Sequence, residues 1–106
     1  MNTIRIAAPK QARKGEVIEL KAMIAHDMES GFRRDQFGRK VPRDILKHFE
    51  CVYNGETVFA AEFFPAVAAN PLLVFYITAT DSGTLEFRWV DQQGKAVSDS
   101  VELLVQ

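Results

Sequence analysis

The sequence predicts an all-β fold, an immunoglobulin-like antiparallel β-sandwich of about seven strands. Apolar and polar residues alternate along most of the chain, which is the period of strands with one buried face. Turn-forming residues separate the alternating runs, among them Asn54-Gly55, the strongest short signal for a tight hairpin. Helical periodicity is almost absent. A small open barrel is the alternative architecture for this pattern.

The alternating runs define the strands in chain order, and their large apolar residues define a core. The predicted strands are residues 3–7, 16–25, 48–53, 56–64, 72–80, 84–90 and 96–105. One short helix is predicted at residues 42–47, where a proline stands near the helix start. The inward-facing residues predicted for the core are Leu20, Phe49, Phe75, Phe87 and Trp89.

Two strands carry apolar residues on both faces, which a sandwich cannot bury within one core. The surplus residues of the strand 72–80 are Leu72, Val74 and Tyr76, and those of the strand 56–64 are Val58 and Phe64. Apolar area left in water forgoes about 25 cal/mol per Å² of stabilisation. An apolar patch of this kind marks a contact with another protein. The alternative is that loop 65–71 or the insertion 26–44 folds over it.

Composition bounds the class of protein. The 106 residues fit one domain, 1–106, and 47% hydrophobic with 25% charged residues is typical of a globular chain. Thirteen basic and 14 acidic residues give a net charge of −1, which argues against nucleic acid as a partner. No stretch is long and apolar enough to make the chain a membrane protein. The N-terminal residues lack the apolar region of a signal peptide, but export together with a signal-bearing partner stays open.

The sequence offers no catalytic residues and predicts no cofactor. Cys51 is the single cysteine, so an internal disulfide is excluded. It shares a strand face with Phe49 and Tyr53, which predicts a buried and inert thiol. His48 points to the other face and is poorly placed as its base.

A copper site is the one metal centre worth weighing. His26, Met28, His48 and Cys51 are the residue types of a blue-copper site. Such sites gather cysteine, histidine and methionine in one late loop, and no histidine follows Cys51. The sequence therefore predicts no physiological metal site.

The polar insertion at residues 26–44 predicts a recognition surface. It contains four arginines, one lysine, three aspartates and one glutamate between two clear strands. Mixed charges suit the rim of an interface, where they steer partners and fix register. Its candidate contact residues are Arg33, Arg34 and Arg43.

The order of features resembles the SoxZ family, the small subunit of the carrier complex in thiosulfate-oxidising Sox systems. The similarity runs from Ile4 to Val105. Its most specific parts are residues 26–31 (HDMESG), Pro42-Arg43, residues 51–55 (CVYNG), residues 69–71 (ANP), and Trp89 followed by Asp91 and Gly94. The resemblance implies a sandwich that forms a heterodimer with SoxY, whose glycine-rich arm carries sulfur intermediates on a cysteine. It also implies transient contact with other Sox enzymes.

Location and assembly also follow from the resemblance. It implies the periplasm, reached by co-export with SoxY. A homodimer is expected when SoxY is absent, because related sandwiches can replace one another. The competing functions are a free-standing periplasmic copper or redox protein and a generic immunoglobulin-like binding module.

Overall fold

The computed structural model describes residues 3–65 and 67–106, and that part of the chain is all β, with no helix. Among these residues there is accordingly no helix long and apolar enough to cross a membrane. The eight strands are β1 (Ile4–Ala7), β2 (Gln11–Ala12), β3 (Val17–Ile24), β4 (Leu46–Tyr53), β5 (Glu56–Glu62), β6 (Leu72–Thr78), β7 (Gly83–Asp91) and β8 (Ala96–Val105).

The strands form two sheets, which confirms the predicted sandwich. One sheet has the order β1-β3-β6 and the other the order β2-β8-β7-β4-β5. All pairings are antiparallel except that of β2 with β8. All seven predicted strands are present, and β2 is an addition. This two-residue strand forms where the chain leaves the first sheet and joins the second.

Aromatic rings from both sheets fill the core around Phe49. The centroid of its ring lies 5.8 Å from that of Phe75 in the opposite sheet and 5.0 Å from that of Trp89 in its own sheet. Phe59 stacks on Phe75 at 4.2 Å. The five residues predicted for the core are all buried, so that prediction is confirmed.

A tight turn and a tyrosine hydroxyl fix the end of the β4–β5 hairpin. Asn54 and Gly55 both have positive φ, 49° and 84°, as the predicted hairpin turn requires. Beside them, the Tyr53 hydroxyl accepts hydrogen bonds of 3.1 Å from the backbone N–H groups of Thr80 and Asp81. It donates to the carbonyl of Asp81. One buried side chain thus joins β4 to the turn between β6 and β7.

The predicted helix at residues 42–47 is wrong. Asp44 exchanges two backbone hydrogen bonds of 2.8 Å with Glu29, and β4 begins at Leu46. Ile45 and Leu46 are both buried in this extended conformation. A helix of six residues contains too few hydrogen bonds to offset its nucleation against those contacts.

Residues 29–44 form an irregular hairpin, called the arm below. Its two sides are joined by the Glu29–Asp44 pair, by a bond from Val41 N–H to Arg33 O, and by the bridge between Arg34 and Lys40. The molecule measures 58 × 21 × 20 Å. Its longest strand, of ten residues, spans only about 33 Å. We attribute the additional length to the arm, which extends the sandwich at one end.

The Tyr53 hydroxyl yields a stability test. In Tyr53→Phe, the N–H groups of Thr80 and Asp81 lose their acceptor, and we expect the free energy of unfolding to fall by about 1–3 kcal/mol. Tyr76→Phe is the matched control, because that hydroxyl is exposed, and we expect a loss below about 0.5 kcal/mol. Urea denaturation followed by circular dichroism measures both. Equal effects of the two substitutions would contradict the role assigned to Tyr53.

Candidate partner interface

The outer face of β6 is an exposed apolar surface, called the β6 face below. It consists of Leu72, Val74 and Tyr76, whose side chains are 57%, 47% and 62% exposed. On β3, the neighbouring outward residues in register are Met23, Lys21 and Glu19. The Tyr76 hydroxyl donates to Glu19 at 2.9 Å, which raises the pKa of Tyr76. Neither the arm nor the described part of loop 65–71 covers this face; residue 66 lies outside the described residues.

The backbone of β6 is also open along one side. β6 is the last strand of its sheet, and Ala79, just beyond it, exchanges hydrogen bonds with the β3 side through Glu16 and Gly15. Because successive residues of an antiparallel strand turn their backbone groups to opposite sides, the N–H and C=O groups of Leu72, Val74 and Tyr76 point away from β3. The exposed apolar side chains and the unpaired backbone groups therefore belong to the same residues.

The other three sheet edges are protected in ways that β6 is not. β1 has only four residues and carries the exposed Arg5, and β2 has only two residues. β5 carries two glutamates and a bulge beside Val58. Short strands, charges and bulges are the usual means of blocking unwanted pairing at an edge. β6 has seven residues and none of these features.

The remaining apolar candidates, Val58 and Phe64, lie outside the β6 face. Cys51 pairs with Phe59 and Val52 pairs with Thr57, so Val58 is the extra residue of the bulge. It is 38% exposed, on the edge strand of the other sheet. Phe64 follows β5 and is 63% exposed. The five apolar candidates are therefore divided between the two sheets rather than gathered on one face.

The arm is cationic. It carries five basic and three acidic side chains, and ion pairs join Arg33 to Glu29 at 2.6 Å and Arg39 to Asp35 at 3.1 Å. The hydrogen bond from Arg33 lowers the pKa of Glu29. Among the described residues, no carboxylate lies within ion-pairing distance of Arg34, Lys40 or Arg43.

Two phenylalanines on the arm were missed by the sequence analysis. Phe32 is 86% exposed and Phe37 is 71% exposed, and the Arg39 guanidinium lies 5.0 Å from the centroid of the Phe37 ring. Large apolar side chains among unpaired cations are typical of contact sites. The signal was present in the sequence, since both residues stand in a polar stretch without alternation, where no strand could bury them.

The base of the arm is fixed by His26. Its backbone N–H donates to Asn70 Oδ1 at 2.9 Å, and its carbonyl accepts from the Asn70 N–H at 2.7 Å. Its Nδ1 accepts from the N–H of Met28, whose buried sulfur in turn accepts from the N–H of Leu46. His26 and Met28 are thus structural here.

The four residues weighed for copper do not converge. His48 lies on the outer face of β4 and Cys51 on the inner face, so they point in opposite directions. Within the described ranges, no three histidine, cysteine, aspartate or glutamate side chains are grouped as metal ligands would be.

Cys51 is a core residue. It is fully buried, and burial raises the pKa of its thiol from 9.0 to about 12. A thiol in this state is protonated at any physiological pH and is a poor nucleophile.

Comparison with known proteins identifies the family. The model of the family "Sulphur oxidation protein SoxZ" matches residues 4–102. The chain belongs to the SoxZ family. It is therefore a protein of the Sox sulfur-oxidation system, as the resemblance of its motifs predicted. No curated protein sequence matches it.

Solved structures with low sequence identity share the SoxZ-family fold. A superoxide reductase (neelaredoxin) from Ignicoccus hospitalis is 16% identical, with a TM-score of 0.76, and 98% of this chain and 80% of that one are covered. A putative superoxide reductase from Thermotoga maritima is 14% identical, with a TM-score of 0.73 and coverage of 97% and 85%. The sulfur carrier protein SoxY from Chlorobium limicola is 14% identical, with a TM-score of 0.67 and coverage of 97% and 78%.

The raised pKa of Cys51 predicts a pH-dependent stability. The unfolded chain loses the thiol proton above about pH 9 and the folded chain above about pH 12, so stability falls as pH rises between these values. From pH 8 to pH 10.5, we expect wild type to lose about 1–2 kcal/mol more than Cys51→Ala does.

Urea denaturation of both chains at the two pH values measures the free energy of unfolding. Every other titrating group is present in both chains, so its contribution cancels when wild type is compared with Cys51→Ala. Iodoacetamide should modify Cys51 only in urea. Rapid modification of the folded chain at pH 8 would show that the thiol is accessible and ionised.

Proposed function

We propose that this chain is the non-catalytic subunit that binds and supports SoxY in the carrier complex of the Sox system. SoxY carries the sulfur intermediates on its own cysteine, and this chain contributes no reacting group. The buried Cys51, with its raised pKa, supports that division of roles. The complex acts in the periplasm, and this chain reaches it by co-export with signal-bearing SoxY.

The observation that carries the proposal is the combination of a free backbone edge and apolar side chains along β6. A strand of the partner adds to such an edge through backbone hydrogen bonds, and alternate side chains supply specificity. Leu72, Val74 and Tyr76 then pass from water into the interface. Phe64 and Val58, near the neighbouring edge of the other sheet, extend the contact around the side of the sandwich.

The same edge predicts self-association of the isolated chain. Two β6 strands related by a two-fold axis pair without placing like charges opposite each other, because Leu72–Thr78 contains no charged residue. A homodimer formed in this way occupies the surface that SoxY needs. SoxY and a second copy are therefore alternatives at a single site.

The arm serves a separate contact, with the Sox enzymes that visit the complex. Its unpaired cations Arg34 and Arg43, with Arg33 beside them, steer an acidic partner surface, and Phe32 and Phe37 add apolar area. Charged groups of this kind raise association rates more than they raise affinity.

The SoxY interface is tested by Val74→Asp. A carboxylate buried without a partner in the contact should weaken association with SoxY by about 3 kcal/mol, a factor of roughly 100. The fold should survive, because Val74 points outward. Sedimentation velocity of mixtures with SoxY measures association, and circular dichroism monitors the fold.

Leu104→Asp provides the matched control. Leu104 is 50% exposed, close to the 47% of Val74, but it lies on the outer face of the other sheet. Its substitution should change SoxY affinity less than threefold. If folded Val74→Asp bound SoxY as tightly as wild type, the contact would lie elsewhere, and the arm would be the next surface to test.

The role of the arm is tested by reversing two of its charges. Arg34→Glu with Arg43→Glu should leave SoxY affinity within threefold of wild type. At low ionic strength it should slow thiosulfate oxidation by reconstituted Sox enzymes at least fivefold, an effect that salt diminishes. Lys10→Glu with Lys14→Glu changes the net charge equally, away from the arm. An equal effect of both pairs would mean that total charge, rather than the arm, controls the rate.

A further inference from the structure

A cleft of about 640 Å³ lies at the base of the arm and is separate from the β6 face. It is enclosed by the base of the arm, β1, the start of β4, and the turn between β7 and β8. Its lining includes both polar and apolar side chains. The lining residues used below are His26, Asp44, Trp89, Asp91, Val97 and Ser98.

The indole of Trp89 supplies the first polar group. The ring is fully buried, and its Nε1–H has no acceptor among the described residues. A buried N–H without an acceptor is destabilising, and native proteins leave few of them. Trp89 lines the cleft together with Val97, its partner in the β7–β8 pairing, so a ligand oxygen that reached the indole would give this N–H its acceptor.

The imidazole of His26 supplies a second donor. Nδ1 accepts the Met28 N–H at 2.9 Å, so in the neutral ring the proton is on Nε2. Nε2 lies 3.6 Å from Asp44 Oδ1, which is beyond hydrogen-bonding distance. Most of the side chain is buried, and His26 is one of the residues that line the cleft.

The backbone of β8 supplies both a donor and an acceptor. β2 covers β8 only at Leu104 and Val105, where the Leu104 N–H donates to Lys10. Backbone groups alternate in direction along a strand, so those of Ser98 face the same open side as those of Leu104. Beside the cleft, the edge of β8 is therefore free to pair with another extended chain.

The charges favour an uncharged ligand. Two carboxylates, Asp44 and Asp91, and one ammonium group, Lys95, line the cleft, and the carboxylate of Asp91 already accepts the N–H groups of Gln93 and Lys95. Neither a strongly anionic nor a strongly cationic ligand finds a matching field. Peptide backbone, by contrast, offers carbonyl oxygens to Trp89 and His26 and both of its polar groups to Ser98.

We propose that this cleft binds an extended, uncharged peptide segment of SoxY, which adds to the edge of β8 and presents a carbonyl oxygen to the Trp89 indole. This proposal rests on the proposed function. This chain covers 78% of the solved SoxY from Chlorobium limicola, so the remaining part of that SoxY chain has no counterpart here and is available as the segment. The cross-section is only about 21 × 20 Å, and about ten extended residues at 3.3 Å each can pass from the β6 side to the cleft.

The single tryptophan makes the test direct, since ¹⁵N-labelled chain gives one indole N–H resonance. Full-length SoxY should shift this resonance and slow its exchange with deuterium at least tenfold. SoxY shortened to the shared sandwich should form a complex of the expected mass and leave the indole unchanged. A complex of full-length SoxY with an unchanged indole would overturn the cleft proposal alone. Failure of both SoxY forms to bind would overturn the proposed function.

Ser98→Pro tests the edge itself. Proline removes the outward N–H of Ser98 without removing a bond to β7, and edge positions tolerate it. We expect weaker binding of full-length SoxY, at least fivefold, and unchanged binding of shortened SoxY. Glu102→Pro, further along the same edge and outside the cleft, should affect neither. Equal binding by folded Ser98→Pro would overturn the proposal; if the variant misfolds by circular dichroism, the indole measurement decides.

Discussion

The packing of Phe49 against Phe75 joins the two sheets, and most other features of the surface follow from it. These rings meet edge to face, and Phe59 stacks on the same Phe75. The contact fixes the register of β6, because a shift by one residue would turn Phe75 outward and Val74 inward. With Phe75 directed into the core, Leu72, Val74 and Tyr76 must point out. The exposed apolar face is therefore a consequence of the core, and no local rearrangement can bury it.

Alternation was sufficient to predict most of this fold. It predicted seven strands, the hairpin turn at Asn54-Gly55 and the buried aromatic residues. These features can be read locally because the alternation of side chains and the conformation of a turn depend on only a few neighbouring residues. It could not predict β2, whose two residues are extended only because β8 lies beside them. It also misassigned residues 42–47, where proline suggested a helix but the distant Glu29 holds Asp44 in an extended ladder. The bulge at Val58 depends on the pairing of β5 with β4, which the sequence of β5 alone does not contain.

The candidate sites were predicted less completely, for a related reason. Leu72, Val74 and Tyr76 were identified because they exceed what one core can bury, and that surplus can be counted in the sequence. The free edge beside them depends on strand order, since among the described residues β6 pairs with β3 and with no second strand. Phe32 and Phe37 were not predicted because they stand in a polar stretch without alternation, where a surplus over one strand face cannot be counted. The cleft at Trp89 needs the three-dimensional arrangement, because its walls come from β1, β4, the arm and β8.

An edge without protection has consequences for a chain alone in solution. Backbone groups along β6 can pair with any extended strand, and its apolar side chains favour that pairing over hydration. In the proposed function, self-association and binding of SoxY draw on the same residues, and mass action decides between them. If both partners use β6 as proposed, a homodimer must dissociate before SoxY can bind, so a very stable homodimer would slow assembly. The neutral row of side chains along Leu72–Thr78 permits self-pairing without charge repulsion, but it adds no ion pair that would favour a second copy over SoxY. Under this proposal, selectivity for SoxY must come from contacts outside the strand. Phe64, the bulge at Val58 and the cleft beside β8 are the surfaces proposed for that role, because a second copy paired only through β6 does not use them.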